Sequence, residues 1–179
     1  MRMRCWVSAW LLLPAAVLAS GEPDTGVRAE AAGAGKTRLV FNGGRGPALV
    51  VTRDAVVPPQ AQPQRVDVVA TVGTDVLVLV DHYPSRLNRG QGPCGAGEES
   101  FLRVVRVSPP PARQTWVTKL ASCTQDIELQ GEYARGGIGW SPETSVLQIQ
   151  WLSGPAQQAP ETQRLQIGRD GRVKAIKPA

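Results

Sequence analysis

The chain has 179 residues, with 20 Lys and Arg against 15 Asp and Glu, and a net charge of +5. The length suits a single domain, and the basic excess is too small and too dispersed to indicate nucleic-acid binding. The single histidine, His82, excludes any metal site that needs two, including the H-E-x-x-H zinc site.

Residues 1–19 have the pattern of a signal peptide. Arg2 and Arg4 precede an apolar stretch that is shorter than the about 20 residues a membrane-spanning helix needs. Val17-Leu18-Ala19 places small residues at −3 and −1, which predicts cleavage before Ser20. The alternative is a buried N-terminal helix. Without Arg2 and Arg4 the net charge falls from +5 to +3, and no later segment predicts a membrane span. The sequence thus predicts a periplasmic or secreted protein.

The remainder divides into a leader and one domain. Residues 20–36 are rich in Gly, Ala and charge without periodicity, which predicts a flexible leader. Residues 37–179 predict a single β-rich domain, because short runs of strand character alternate with Gly and Pro. The ten predicted strands are Thr37–Phe41, Ala48–Arg53, Arg65–Val72, Asp75–His82, Phe101–Val107, Thr115–Leu120, Asp126–Leu129, Ser145–Leu152, Arg164–Ile167 and Arg172–Ile176.

Turn signals and alternation indicate how these strands pack. Gly73-Thr74 and Asp170-Gly171 are each placed to join two strands in a hairpin. Leu147, Ile149 and Trp151 share one face of their strand, which indicates a buried side. No run keeps helical apolar spacing for three turns. We therefore expect an all-β fold, an antiparallel sandwich or barrel of about eight to ten short strands with little helix; a small propeller is the alternative.

The cysteines predict one disulfide bond. Cleavage of the signal peptide removes Cys5 and leaves Cys94 and Cys123. An even pair in an oxidising compartment favours a bridge between them, which would close a loop of about 30 residues and contribute roughly 3–4 kcal/mol. Two buried thiols are the alternative.

Two motifs that resemble nucleotide-binding loops fail on context. Gly90-Gln91-Gly92-Pro93-Cys94-Gly95 matches G-x-G-x-x-G by letter, but Pro93 and a cysteine interrupt it and no amphipathic helix follows. Gly35-Lys36-Thr37 resembles the end of a phosphate-binding loop, yet Glu30 stands where the first glycine is required. The sequence therefore predicts no cofactor.

Carboxylates around the Cys94 loop are the remaining candidates for chemistry. Asp81, His82, Glu98 and Glu99 would converge if the disulfide folded the loop back. A carboxylate pair could hydrolyse a glycosidic bond, and carboxylates with carbonyls could hold Ca²⁺. No serine has the G-x-S-x-G setting of a serine hydrolase. The simpler interpretation is that Glu98 and Glu99 are solvated residues at the start of a strand.

The same loop is the predicted binding surface. Gly95 and Gly97 permit close backbone approach, and Glu98 and Glu99 add negative charge in a basic domain. Two aromatic residues, Tyr83 and Trp140, are further candidates for surface contact, whereas Trp116 and Trp151 are assigned to the core.

These features favour a non-enzymatic binding or inhibitor protein of the cell envelope. It would act by contact with a protein, as a lysozyme inhibitor or an immunity protein does. The alternatives are an enzyme that acts on cell-wall sugars through Asp/Glu pairs and a structural or assembly factor of the envelope.

Overall fold

The structure is a computed structural model that describes residues 26–41, 46–86, 97–131 and 137–177. These residues form twelve β-strands in three antiparallel sheets, and none of them is in an α-helix. The predicted all-β antiparallel architecture is confirmed. The strand number exceeds the eight to ten expected, because β1 and β9 were not predicted.

The first sheet has the order β1-β2-β3. Its strands are β1 (Arg28–Ala31), β2 (Lys36–Val40) and β3 (Ala48–Thr52). Strand β1 lies within the segment predicted to be a flexible leader, so the leader prediction is wrong for residues 28–31. These residues pair with β2 from Arg28 opposite Val40 to Ala31 opposite Thr37, and Val27 before them is buried.

The second sheet has the order β4-β5-β6-β7. Its strands are β4 (Arg65–Val72), β5 (Val76–Pro84), β6 (Glu98–Arg106) and β7 (Arg113–Ser122). The predicted hairpin between β4 and β5 is present: Val72 pairs with Val76, and Gly73 has a φ of 62°, a conformation that glycine adopts without strain.

The third sheet has the order β12-β11-β10-β8, and β9 also pairs with β10. Its strands are β8 (Glu128–Leu129), β9 (Ile138–Ser141), β10 (Val146–Ser153), β11 (Glu161–Ile167) and β12 (Val173–Ile176). Leu147, Ile149 and Trp151 are buried on one face of β10 as predicted. The β11–β12 hairpin predicted at Asp170-Gly171 is also present.

The β4–β7 sheet lies between the other two, because its two faces contribute to different hydrophobic clusters. Val76, Val78 and Val80 pack against residues of β10 and β11. Leu79 and Val105 pack against the first sheet, with Leu39 and Val51 among their neighbours. The fold is thus a three-layered stack of antiparallel sheets with two cores. A third, smaller cluster closes one end of the central sheet: Tyr83 and Phe101 contact Val57 and Ala61 of the β3–β4 connection.

Candidate functional site

The register of β5 and β6 gathers the predicted acidic residues. In this register His82 pairs with Ser100, Tyr83 pairs with Glu99, and Pro84 pairs with Glu98. Alternation along the strands then separates them: His82 and Glu98 lie on one face of the central sheet, while Tyr83 and Glu99 lie on the other. The predicted acidic residues and His82 are therefore close together, as expected. The pairing of β5 with β6 brings them together, and it places them on two different faces of the sheet.

On the first face His82 lies between two carboxylates. His82 Nδ1 is 2.5 Å from Glu98 Oε1, and His82 Nε2 is 2.9 Å from Asp67 Oδ2. Ser100 Oγ donates to Glu98 Oε1 at 2.6 Å, and Arg65 Nε is 2.9 Å from Asp67 Oδ2. We call His82, Asp67, Glu98 and Ser100 the His82 cluster. The sequence did not predict Asp67 and Ser100 as members, or Arg65 as their neighbour, because their approach depends on the register of three strands.

Glu98 is the acidic residue of this cluster whose side chain is both partly exposed to solvent and held in place by hydrogen bonds. Its side chain is 37% exposed. Partial burial alone would raise its pKa, but the hydrogen bonds from His82 and Ser100 outweigh that effect and lower the pKa below its usual value of 4.5. Glu98 is therefore an ionised, oriented carboxylate at the end of the central sheet.

The arrangement of Ser100, His82 and Asp67 resembles a hydrolytic triad in composition only. Ser100 Oγ lies 3.1 Å from His82 Nδ1, but it donates its proton to Glu98. Ser100 is also buried, with 3% of its surface exposed. A nucleophile must be reached by its substrate and deprotonated by its base, so the geometry favours a structural role for this serine.

On the opposite face a buried ion pair joins β5 to β6. Arg103 Nε donates to Asp81 Oδ1 at 2.8 Å, and both side chains are at most 2% exposed. The Tyr83 hydroxyl donates to Asp81 Oδ2 at 2.6 Å and lies 2.8 Å from Thr37 Oγ1 of β2. Burial, and then the nearby Asp81 carboxylate, raise the pKa of Tyr83 above its usual value of 10.0. We call this group the inner network; it ties the central sheet to the first sheet.

Two predicted contact residues belong to this buried face. Tyr83 is 0% exposed, so it is not the surface aromatic residue that the sequence predicted. Glu99 is also 0% exposed: Ser85 Oγ donates to its Oε1 at 2.8 Å, and Thr124 Oγ1 lies 3.2 Å from the same atom. The interpretation of Glu99 as a solvated residue is therefore wrong, because β6 begins at Glu98 and directs Glu99 inwards.

Gly97 packs directly against Cys123. A Cβ atom at Gly97 would lie 2.7 Å from Cys123 Cβ and 3.1 Å from Ser85 Oγ, so glycine is required for this close approach. Cys94 and Gly95 lie outside the described residues, and the Cys94–Cys123 bridge stays a prediction. The position of Gly97, three residues after Cys94 in the chain, supports it.

Trp140 is partly buried and packs against the hydrophobic cluster between the central and third sheets. It lies on β9 opposite Leu147. Its packing is that of a residue at the margin of the core, which does not favour the predicted surface contact. Trp151 is a core residue as predicted, and its indole Nε1 donates to the Leu120 carbonyl at 2.9 Å.

A cleft that the sequence did not predict opens between β3 and the inner face of β6 and β7. Its volume is about 330 Å³. We call it the sheet cleft; its lining residues are Thr52, Arg53, Asp54, Phe101, Arg103, Gln114, Val117, Thr118 and Lys119. Lys119 Nζ lies 3.0 Å from Asp54 Oδ2. The cleft escaped prediction because residues 52–54, at and just after the end of β3, are distant in sequence from the residues of β6 and β7 that complete the lining.

Among the described residues, no group of three or more His, Cys, Asp or Glu side chains has an arrangement that could hold a metal ion. The described part of the chain also contains no helix long and apolar enough to cross a membrane. In the comparisons with known proteins, no family model matches the chain, and no curated protein or solved structure shows a significant similarity to it.

Proposed function

We propose that the mature domain is an exported envelope protein that binds another protein, in the manner of a lysozyme inhibitor or an immunity protein. The observation that carries this proposal is the state of Glu98. Its carboxylate is ionised, held by His82 and Ser100, and partly exposed at the end of the central sheet. An oriented charge of this kind loses little conformational entropy when a partner binds.

The carboxylates support binding more than hydrolysis of sugars. A glycosidase needs two carboxyl groups on either side of one substrate bond. Here Asp81 is bound to Arg103, and Glu99 is fully buried. Both also lie on the opposite face of the sheet from Glu98, as the pairing of β5 with β6 requires. Asp67 shares the face of Glu98, but the His82 ring lies between the two carboxylates and is within hydrogen-bond distance of both, so it occupies the place that a substrate bond would need.

The partner should present a basic patch or a basic cleft. Complementary charge across an interface chiefly raises the association rate and excludes wrong partners. Arg65 lies beside the cluster and bonds to Asp67, so Glu98 is the group in the His82 cluster whose charge a partner would neutralise.

The test is a pull-down from envelope extract with the mature domain as bait, followed by affinity measurement for each captured protein. Glu98→Lys should weaken binding by at least about tenfold, the factor that corresponds to 1.4 kcal/mol. Glu98→Gln keeps an acceptor for His82 and Ser100 and should show a smaller loss. Circular dichroism establishes that each variant is folded.

Glu143→Lys is the matched control, because Glu143 is exposed in the turn between β9 and β10, on the third sheet. It should bind like the wild type. If Glu98→Lys binds every captured protein as tightly as Glu143→Lys does, the proposed contact is wrong. Glu99 is unsuitable for charge reversal, since a lysine there would be buried among Ser85 and Thr124.

The proposed export has its own test. Sequencing the N-terminus of the protein from the envelope fraction should find Ser20 as the first residue, as the Val17-Leu18-Ala19 pattern predicts. A retained Met1 would contradict both the processing site and the periplasmic or secreted location.

A further inference from the structure

We propose that the sheet cleft binds a small organic monocarboxylate, with its carboxylate against the cationic wall and its apolar part against Phe101 and Val117. The cleft lies between the first sheet and the central sheet, on the opposite face from Glu98. The proposal is therefore independent of the protein contact at the His82 cluster.

Hydrogen-bond donors outnumber acceptors in the lining. Arg53, Arg103 and Lys119 are cations, and Asp54 is the one carboxylate among the lining residues. Gln114 Oε1 accepts a hydrogen bond from Arg103 at 2.6 Å. Gln114 can therefore offer its amide nitrogen, a donor, to a ligand. A wall of this composition is complementary to an acceptor such as a carboxylate.

The charges of the lining indicate a ligand with a single negative charge. Asp54 neutralises Lys119, and Asp81 neutralises Arg103. Arg53 pairs with no carboxylate among the described residues: its guanidinium donates to the carbonyl oxygens of Ala61, Pro59 and Gly33. Its Nε is buried and has no hydrogen-bond partner among the described residues.

One positive charge is thus left over in the lining. A monoanion would balance it, whereas a doubly charged phosphate would exceed it. Because the remaining donors are spread over several side chains, a planar carboxylate could accept from more than one of them.

Size and apolar surface limit the ligand further. A volume of about 330 Å³ lies at the small end of ligand sites. Phe101 is buried, and its ring lies 5.5 Å from the Arg103 guanidinium and 5.6 Å from Lys119 Nζ. Val117 is 42% exposed. An aromatic ring or a short alkyl chain attached to the carboxylate would cover Val117, the exposed apolar side chain of the lining.

The experiment is calorimetric titration of the mature domain with benzoate, and separately with acetate, inorganic phosphate and benzamide. Benzoate should bind with a Kd of about 1 mM, the order expected for a ligand of so few atoms. Acetate should bind more weakly because it lacks apolar surface. Benzamide has the same shape without the charge and should not bind measurably.

Lys119→Gln should weaken benzoate binding about tenfold, since it removes a charged donor from the wall. The control is Lys174→Gln, an exposed substitution on β12 of the third sheet, and it should leave the affinity unchanged. If Lys119→Gln does not fold, Thr52→Val removes a hydroxyl from the opposite wall and should also weaken binding.

Three results would overturn the proposal: no saturable benzoate binding, equal binding of benzoate and benzamide, or phosphate binding tighter than benzoate. A folded Lys119→Gln variant with wild-type affinity would overturn it too. The Glu98→Lys variant should bind benzoate normally, so a failure here is distinct from a failure of the proposed protein contact.

Discussion

A charged side chain inside a sheet stack is stable only when protein groups replace the water that it loses. Asp81 meets this requirement through Arg103 on one carboxylate oxygen and Tyr83 on the other. Arg103 in turn donates to Gln114. Since each member satisfies another, removal of one leaves a buried charge or a buried polar group without its partner.

Replacement of Arg103 by methionine should therefore destabilise the domain by about 3–5 kcal/mol, because Asp81 would stay buried without a counter-charge. The matched control is Arg172→Met. Arg172 Nε lies 3.1 Å from Asp170 Oδ2, but its side chain is 91% exposed, and such pairs contribute less than about 1 kcal/mol. Urea unfolding of both variants measures the difference, and equal losses would contradict the structural role of the inner network.

Glu98 should make stability depend on pH in the acidic range. Its pKa is lower in the folded chain than its usual value of 4.5, so its contribution is present above that value and is lost as pH falls through the folded pKa. The free energy of unfolding should decline more steeply below about pH 5 in the wild type than in Glu98→Gln. Urea unfolding at a series of pH values measures both slopes; parallel curves would contradict the assignment.

The sequence alone could not predict which side chains bond to Asp81, His82 and Glu98. Asp81 directly follows the apolar run of Val76–Val80, and Arg103 interrupts another apolar run; a charge in such a position is a signal for a buried pair. Which charges meet depends on the register of β5 with β6, and the segment between them does not determine that register. The sequence therefore identified His82 and Glu98 as neighbours but missed Asp67 and Arg103.

Strands β5 and β6 are buried on both faces, which is less common in antiparallel than in parallel sheets. Their burial follows from the sheets that cover each side. The unbroken run Val76–Val80 is the sequence feature that matches this environment, since a strand with one solvated face would alternate. Strand β1 has a weaker signal: Val27, Ala29 and Ala31 alternate with Arg28 and Glu30, but alanine is small and uncommon in strands. Its strand conformation therefore becomes evident only from its pairing with β2.

A chain that begins at Gly33 should consequently be less stable than one that begins at Gly26. The shorter chain loses β1, its hydrogen bonds to β2 and the buried side chain of Val27. Burial of one valine contributes about 2 kcal/mol, and the exposed edge of β2 would also favour aggregation. Thermal and urea unfolding of the two chains measure the loss. Equal stability would show that residues 26–32 behave as the leader that the sequence predicted.

The sequence was sufficient to predict the all-β class of the fold, but not how the three sheets stack. Composition, turn signals and alternation identify ten of the twelve strands and both hairpins. The stacking of three sheets depends on clusters that join distant residues, such as Leu39 and Leu79 in one core and Val78 and Leu147 in the other. Periodicity within a strand shows that a face is buried without showing what buries it, and the sheet cleft between two such faces was unpredictable for the same reason.

The predicted disulfide would join the β5–β6 connection to the end of β7. Cys123 follows Ser122, the last residue of β7, and lies against Gly97, the residue before β6. A bridge to Cys94 would therefore restrain the chain beside Glu98 and Glu99. Its closure of a loop of about 30 residues should contribute roughly 3 kcal/mol, mainly by limiting the unfolded ensemble.

Reduction should accordingly lower the Tm by on the order of 10 °C for a domain of this size. Titration of the denatured, unreduced mature protein should find no free thiol. The Cys94→Ser/Cys123→Ser variant is the control: its Tm should be low from the outset and insensitive to reductant. If reductant left the wild-type Tm unchanged, or if two thiols were titrated, the bridge would be absent.

The contact between Gly97 and Cys123 would then be packing alone, and Gly97→Ala should still destabilise the fold, because its new Cβ would lie 2.7 Å from Cys123 Cβ.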